Sequence, residues 1–231
     1  MKKYLLALLS SLLMSVSAHA TMVTYNYTAT VYFIYNYDYT KPAPLTPDSI
    51  ALTDGVISVG NVLQGQFSYD TATPLHANPD TYGATYIGAA PRLAATAQFS
   101  RGVTFASDTG AAKANIQIYD NHESLHDYLW LDAYSGTGAD QRALTFNFAS
   151  EDEAVMDGKN IPDSLSGFDR RFMYFSGKLS PTSFYDVLAR IDSLTPMATA
   201  VPEPETYAML LAGIGLVGWT AHKRKKAVAA I

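Results

Sequence analysis

The chain of 231 residues has no cysteine and few charged side chains, which make up only 16% of it. Without cysteine it forms no disulfide, no cysteine-ligated metal site and no thiol nucleophile. Hydrophobic residues make up 48%, which favours a globular core over a disordered chain. Residues 21–200 contain 10 Lys and Arg against 19 Asp and Glu, a net charge of about −9. Because an acidic domain repels phosphate backbones, we expect no nucleic-acid partner.

Regular helical periodicity is also missing from residues 21–200. Apolar and polar residues instead alternate in short stretches separated by segments rich in Pro, Gly, Asp and Asn, a pattern typical of strands and turns. The predicted strands cover residues 23–39, 62–70, 93–107, 114–120, 127–135, 142–149, 170–179 and 187–194. We therefore predict an all-β ectodomain at residues 21–195, folded as a single jelly-roll-like β-sandwich, and a linker at 196–205. Only SPTSFYDVLARID (180–192) also fits a short helix.

The first 20 residues have the three parts of a secretory signal peptide. Lys2 and Lys3 provide the charged start, and a mostly apolar stretch follows them. Ala18 and Ala20 are the small residues that signal peptidase requires before its cleavage point. We therefore predict export and a mature chain that begins after Ala20.

A second apolar stretch lies at residues 206–222, and four basic residues follow it: Lys223, Arg224, Lys225 and Lys226. Its apolar centre, residues 207–221, spans about 22 Å as a helix, less than the ~30 Å of a bilayer's hydrocarbon core. The basic cluster favours the cytoplasmic side. We therefore predict a short transmembrane segment at 206–222 and a basic cytoplasmic tail at 223–231. Pro202 and Pro204, just before the segment, favour an extended, exposed backbone.

Val201-Pro202-Glu203-Pro204, the short glycine-containing apolar run and the basic cluster together resemble a PEP-CTERM sorting tail over residues 200–227. The same tail is also called an ice-binding protein C-terminal domain, although no regular Thr ladder is visible in this sequence. The resemblance implies an exported protein of an envelope-bearing bacterium, held first in the inner membrane. It also implies that an exosortase recognises Pro-Glu-Pro and removes the tail. The alternative is an ordinary C-terminal membrane anchor, which has the same topology and is not cleaved. Such systems usually accompany extracellular polysaccharide production.

Segments of the middle domain, such as LQGQFSYDTATP and FSGKLS, resemble the β-rich ectodomain that often precedes this tail. That resemblance supports the predicted fold, and it implies no established activity.

Two further motifs match catalytic or cofactor signatures. HESLH at 122–126 fits H-E-x-x-H, in which two histidines on one helical face bind zinc and the glutamate activates water. The surrounding alternation instead places His122 and His126 in a hairpin loop. A zinc-dependent hydrolase using His122, Glu123 and His126 is therefore only the second alternative function. The G-x-G-x-x-G at 213–218 lacks the preceding strand and the later acidic residue of a dinucleotide site.

SEDEAVMDGKNIPD (150–163) concentrates five carboxylates, a chemistry that suits Ca²⁺. Asp152 and Asp157 are the candidate ligands. The spacing does not follow the EF-hand series, so we expect a solvated loop and no cofactor.

Tyrosine is unusually common, with 16 residues, and five tyrosines of the first predicted strand share one parity: Tyr25, Tyr27, Tyr35, Tyr37 and Tyr39. If the alternation is unbroken, they lie on one face of the strand and Tyr32 lies on the other. A half-exposed tyrosine face would stack on sugar rings. The alternative is that these rings pack in the core or across strands.

The function predicted from these features is that of a non-enzymatic, structural protein of the cell surface or extracellular matrix. Its expected partners are signal peptidase, the inner membrane and an exosortase. The first alternative is an exopolysaccharide-binding module. No G-x-S-x-G nucleophile elbow occurs, and no catalytic residue is predicted.

Overall fold

The computed structural model describes residues 22–77, 84–88, 92–108, 114–122, 126–152, 154–156 and 160–197, together with Ile214. The chain divides into two units, Met1–Met197 and Ala198–Ile231. Ile214, in helical conformation, is the described residue of the second unit. The predicted signal peptide, the Pro-Glu-Pro linker from residue 198 onward and the basic tail therefore lie outside the described residues. So does the predicted transmembrane segment, apart from Ile214. Within the described residues, no helix has the length and apolar character needed to span a membrane.

The all-β prediction is confirmed: strands form nearly all the regular structure described between residues 22 and 197. A 3-10 turn at Gly138–Asp140 is added to them. The strands are β1 (Met22–Asp38), β2 (Ser49–Leu52), β3 (Gly55–Ser58), β4 (Val62–Asp70), β5 (Leu75–Ala77), β6 (Ala84–Gly88), β7 (Leu93–Phe99), β8 (Thr104–Ala106), β9 (Ala114–His122), β10 (His126–Ser135), β11 (Arg142–Ser150), β12 (Arg170–Ser180) and β13 (Ser183–Pro196).

Eleven of the described strands pair in one continuous antiparallel sheet, in the order β5-β6-β9-β10-β11-β12-β13-β1-β4-β7-β8. The two separate sheets of a jelly-roll sandwich, expected from the sequence, are therefore replaced by a single sheet. This sheet curls over, so that the inner faces of its two halves meet. The ring of Phe67 in β4 lies 4.3 Å from that of Phe146 in β11, centroid to centroid, and Phe99 in β7 lies 5.2 Å from Phe175 in β12. β2 and β3 form a separate two-stranded ribbon.

The strands form where apolar side chains recur at every second position. In β7 the alternation is unbroken from Leu93 to Phe99, with each odd-numbered residue buried. The same period explains why residues 180–192 are not helical, contrary to the alternative considered above. Tyr185, Val187 and Ala189 of β13 all point into the core, which a helix could not achieve at a spacing of two.

Two tyrosines of the core lie across the strand from a glycine. Tyr27 of β1 is opposite Gly65 of β4, and its hydroxyl passes over that glycine to donate a hydrogen bond of 2.8 Å to the Thr96 carbonyl oxygen. Tyr185 of β13 is opposite Gly177 of β12 in the same way. The ring covers the backbone that a glycine leaves bare, a known means of stabilising glycine in sheets.

The two ends of the core are closed by connections rather than by strands of the sheet. At one end, the segment between β11 and β12 buries Leu165 and Phe168. The Leu165 N–H donates to the Tyr25 hydroxyl at 3.0 Å, which ties this segment to β1. At the other end, the ribbon buries Ile57, and Asp54 in its turn accepts two hydrogen bonds from the Arg142 guanidinium, at 2.8 and 2.9 Å.

Candidate functional site: an aromatic outer surface

A β-bulge at Tyr32 divides β1 into two halves of opposite parity. Val31 pairs with Ala189 of β13 and Phe33 with Leu188, so Tyr32 is an extra residue with no partner position. Before the bulge, odd-numbered residues point inward. After it, even-numbered residues such as Ile34 point inward.

The predicted face of five tyrosines is therefore wrong, because the alternation is broken. Tyr25 and Tyr27 lie in the core, with 4% and 2% of their surface exposed. Tyr35 and Tyr37 lie on the outer face, and Tyr39, which follows the strand, is 77% exposed. A one-residue insertion moves every later side chain to the other face of the sheet.

The outward tyrosines join a larger set of partly exposed rings that we call the outer aromatic surface. It spans strands β9, β10, β12, β13 and β1 of the same sheet. Its members are Tyr32, Phe33, Tyr35, Tyr37, Tyr119, Tyr128, Trp130, Phe172, Tyr174 and Phe184. Neighbouring rings contact one another in pairs. Centroid separations are 5.8 Å for Tyr119 and Tyr128, 5.9 Å for Tyr128 and Trp130, and 4.6 Å for Tyr37 and Phe184.

These rings cover the middle strand of the surface. The outward residues of β11 include Thr145 and Asn147, and both are buried although they face away from the core. Thr145 pairs with Tyr174 of β12, and Asn147 pairs with Trp130 of β10. Large rings on the flanking strands therefore cover the small polar residues of β11. The outer aromatic surface is thus a thin second layer whose outer side is exposed to solvent.

Asp132 is the polar centre of this layer and is only 8% exposed. Its Oδ1 accepts hydrogen bonds from Trp130 Nε1 and Thr145 Oγ1, each 2.6 Å long, and its Oδ2 accepts one of 3.1 Å from Asn115 Nδ2. Three donors compensate the cost of burying the carboxylate. The network also fixes the Trp130 indole, because its only N–H is engaged from below.

The phenols of Tyr119, Tyr128 and Tyr174 remain protonated near neutral pH. Burial is the main cause that raises the pKa of Tyr128, and the neighbouring phenols of Tyr174 and Tyr119 raise it further. Burial also raises the pKa of Tyr174 and of Tyr119, and the Asp132 charge contributes to the shift of Tyr119. These hydroxyls therefore act as neutral donors and acceptors of hydrogen bonds.

Trp130 and Tyr174 present flat apolar faces. Their ring planes are 4° from parallel and their centroids are 6.4 Å apart, so the rings are offset and neither is fully covered by the other. Flat aromatic faces beside hydroxyl and amide groups match the two kinds of surface that a sugar ring presents, apolar C–H faces and polar edges.

The histidines of the H-E-x-x-H motif end two neighbouring strands. His122 is the last residue of β9 and His126 the first of β10, and they pair directly across the ladder. The backbone at both positions is extended, whereas the zinc signature requires a helical turn between them. Glu123 lies outside the described residues.

The carboxylate-rich segment is only partly described, and Asp157 lies outside that part. Asp152 Oδ1 accepts a hydrogen bond of 3.0 Å from the Ala154 N–H, and Glu151 forms an ion pair with Arg170. Among the described residues, no group of three or more His, Asp or Glu side chains is arranged to hold a metal ion.

The sequence pattern indicates the outward aromatic residues of β10 and β12, although these residues were not among the predicted site residues. Tyr128, Trp130 and Asp132 share one parity in β10, as Phe172 and Tyr174 do in β12, and both patterns are readable as an outward face. What the sequence does not show is that β11 lies between them and carries small residues at the matching positions.

The described residues form an all-β protein with an aromatic outer surface. A second feature, at the C-terminus, concerns how the protein is sorted. Residues 200–225 match the family model of the PEP-CTERM protein-sorting motif. The chain thus carries the sorting signal of an exported protein whose membrane-anchored precursor an exosortase recognises. The predicted motif Val201-Pro202-Glu203-Pro204 and the basic cluster lie within or next to this match. Neither curated proteins nor solved structures gave a match to the chain.

Proposed function

We propose that the chain is an exported, non-enzymatic protein that binds extracellular polysaccharide through its outer aromatic surface. After processing it acts at the cell surface or in the extracellular matrix. The observation that carries the binding role is the set of partly exposed rings arranged around the Asp132 network. The sorting motif supports the location.

The chemistry of the surface favours sugar over other ligands. Offset rings such as Trp130 and Tyr174 can stack on the C–H faces of sugar rings, and neutral phenols and amides can bind hydroxyl groups. The acidic balance of residues 21–200 disfavours nucleic acid and strongly anionic polymers. Asp132 is the buried carboxylate of this surface, and both of its oxygens are already hydrogen-bonded, which supports a binding role over acid–base catalysis.

Binding can be tested with the processed protein and the exopolysaccharide of its host. We expect the double variant Trp130→Ala/Tyr174→Ala to weaken binding about tenfold, which corresponds to ~1.4 kcal/mol. Val56→Ala, which truncates an exposed apolar side chain on the ribbon, is the matched control and should bind like the wild type. Equal affinity of the wild type and the double variant would exclude the aromatic surface as the binding site.

Tail removal is tested by mass spectrometry of the mature protein from its native host. Processing by an exosortase predicts a C-terminus near Pro202–Pro204. Molecules that mostly keep the end HKRKKAVAAI (222–231) would show plain anchoring instead.

The proposal includes no resident cofactor. Elemental analysis of gently purified protein should find zinc and calcium well below one equivalent. A stoichiometric metal would contradict this and would make His122, His126 and the segment around Asp152 the candidate ligands.

A further inference from the structure

We propose that the opposite side of the curled sheet carries a second polysaccharide site, a trough specific for uncharged glycan chains, so that one molecule bridges two chains. The inference rests on the proposed function in taking polysaccharide as the ligand. It uses different residues, although both sites include parts of β13 and β1. We call this site the amide trough.

The amide trough lies on the outer face of β13, β1, β4 and β7, and two rows of polar side chains run across the strands. One row consists of Ser193, Thr28, Gln64 and Gln98, with one residue from each strand. The other consists of Thr195, Asn26, Gln66 and Thr96 in the same order. All eight side chains line one shallow cavity of about 900 Å³. This volume lies within the range of ~300–1,000 Å³ that is usual for ligand sites.

The trough carries no charge. Every outward side chain in the two rows is a hydroxyl or an amide, groups that both donate and accept hydrogen bonds, as sugar hydroxyls do. Neighbouring strands are about 4.8 Å apart, close to the length of one pyranose unit in an extended chain. A glycan lying across the strands would therefore meet one pair of polar side chains per sugar.

Part of the trough is held in place by its own hydrogen bonds. Thr28 and Ser193 share one of 2.6 Å between their hydroxyls, and Gln66 Nε2 donates one of 3.2 Å to Asn26 Oδ1. Among the described residues, the exposed amides of Gln64 and Gln98 have no hydrogen-bond partner in the protein. They form a cross-strand pair in the first row and are free to bind ligand.

Other occupants fit the trough less well. A phosphate-bearing or carboxylate-bearing polymer needs Lys or Arg, and none lines the cavity. A protein partner, including a second copy of this chain, normally inserts aromatic or other large apolar side chains into an interface core. The outward side chains of the two rows provide no apolar pocket for them.

The part of the trough on β4 and the part of the outer aromatic surface over β11 face opposite directions. Phe67 points inward from β4 and contacts Phe146, which points inward from β11, so the outer sides of these two strands face away from each other. β4 carries the middle of the trough, and β11 lies under the middle of the aromatic surface. A protein with two such sites links polysaccharide chains, and linkage raises avidity without any new contact.

The test compares two pairs of substitutions in the processed protein, Gln64→Ala/Gln98→Ala in the trough and Trp130→Ala/Tyr174→Ala in the aromatic surface. Gln64→Glu/Gln98→Glu is a second trough variant of unchanged size that removes the amide donors. The probes are the host exopolysaccharide, uncharged hydroxyethylcellulose and anionic carboxymethylcellulose, which shares its backbone. Affinity electrophoresis measures binding, and solution viscosity measures bridging.

We expect the wild type to bind at least one uncharged polymer and to raise its viscosity. Either trough variant should lose the rise in viscosity and weaken binding of the uncharged polymer about tenfold, with an unchanged melting temperature because both amides are exposed. Trough variants that bind and bridge like the wild type, while the aromatic variant does not, would overturn the amide trough and leave the proposed function intact. Loss of binding in the trough variants alone would refute the aromatic site instead.

Absence of binding to all three polymers would overturn both proposals. A change in the oligomeric state of the trough variants without polysaccharide would identify a second copy of the chain as the occupant, and this would also overturn the inference.

Discussion

The two halves of β1 share one strand but display opposite chemistry. From Thr24 to Thr30 the strand buries tyrosines and exposes threonine and asparagine, which contribute to the amide trough. From Phe33 to Asp38 it exposes aromatic rings and turns Asn36 inward. Both halves contain the sequence Tyr-Asn-Tyr, with the tyrosines inward in the first half and outward in the second, so this difference comes from the bulge at Tyr32. A single extra residue decides which surface each half of the strand displays.

Deleting Tyr32 should remove the difference between the two halves of β1, and among the variants below it should have the largest effect on stability. Without the bulge, the later residues must change face or slip in register, and Ile34, now 1% exposed, would leave the core. We expect the free energy of unfolding to fall by about 4 kcal/mol or more, the scale of losing a large buried side chain. Urea denaturation measures the change.

Tyr32→Ala is the control for the deletion, because it keeps the extra residue and removes an exposed ring. It should cost about 1 kcal/mol or less. If the deletion were as stable as Tyr32→Ala, the bulge would not set the parity of β1.

The glycines opposite the buried tyrosines give the next largest effect. A Cβ at Gly65 would overlap the Thr96 carbonyl oxygen, a backbone atom that cannot move freely, and would crowd the Tyr27 hydroxyl. We expect Gly65→Ala to lower the free energy of unfolding by about 3 kcal/mol, through overpacking and loss of the Tyr27 hydrogen bond.

Gly177→Ala is the matched variant, because Gly177 also lies opposite a buried tyrosine. The atom that the new Cβ would meet is different. Its Cβ would lie 2.7 Å from the Tyr185 hydroxyl oxygen, at the end of a side chain that can pivot. Thermal unfolding should therefore show a smaller loss than for Gly65→Ala. The reverse order would mean that the Thr96 backbone yields more easily than the Tyr185 ring.

The ion pair between the ribbon and β11 has the smallest expected effect. Hydrogen bonds from Arg142 are the main cause that holds the pKa of the Asp54 carboxyl below its ordinary value of 3.8, and the Arg142 charge adds to this. The stabilisation is therefore present above pH 3.8 and is lost as the pH falls through the lower folded pKa. Because both groups are partly exposed, it should amount to less than ~1 kcal/mol.

Asp54→Asn tests that sign. Its stability should lie slightly below that of the wild type at pH 7, and the two curves should converge as the pH falls below 3.8. A difference that grows on acidification would contradict the pairing.

Local sequence patterns predicted the all-β class of the fold, but they did not predict which strands pair with one another. Alternation in LAATAQF and in the strand from Arg142 to Ser150 is visible because apolar side chains recur at every second position, on the inner face of each strand. By contrast, β6 joins β9, while β7 pairs with β4 at the far side of the sheet. No short-range signal encodes such contacts, since they depend on which edges remain free once the other strands have paired.

The candidate site shows the same limit. The outward parity of Tyr128 and Trp130 follows from the sequence, because the flanking leucines define the inner face of β10. The position of Tyr35 does not, because nothing in VTYNYTATVYFIYNYDY marks Tyr32 as the residue that is skipped. Bulges arise from the pairing of two strands, so only the structure of the pair reveals them.

The place of β13 in the sheet has a consequence for the order of folding. This strand comes last in sequence among the described strands, yet it lies between β12 and β1, and without it the sheet separates into two pieces. The domain therefore cannot complete its sheet until residues up to Pro196 are free to pair. Its topology thus makes complete folding depend on the described strand that lies nearest in sequence to the sorting motif at residues 200–225.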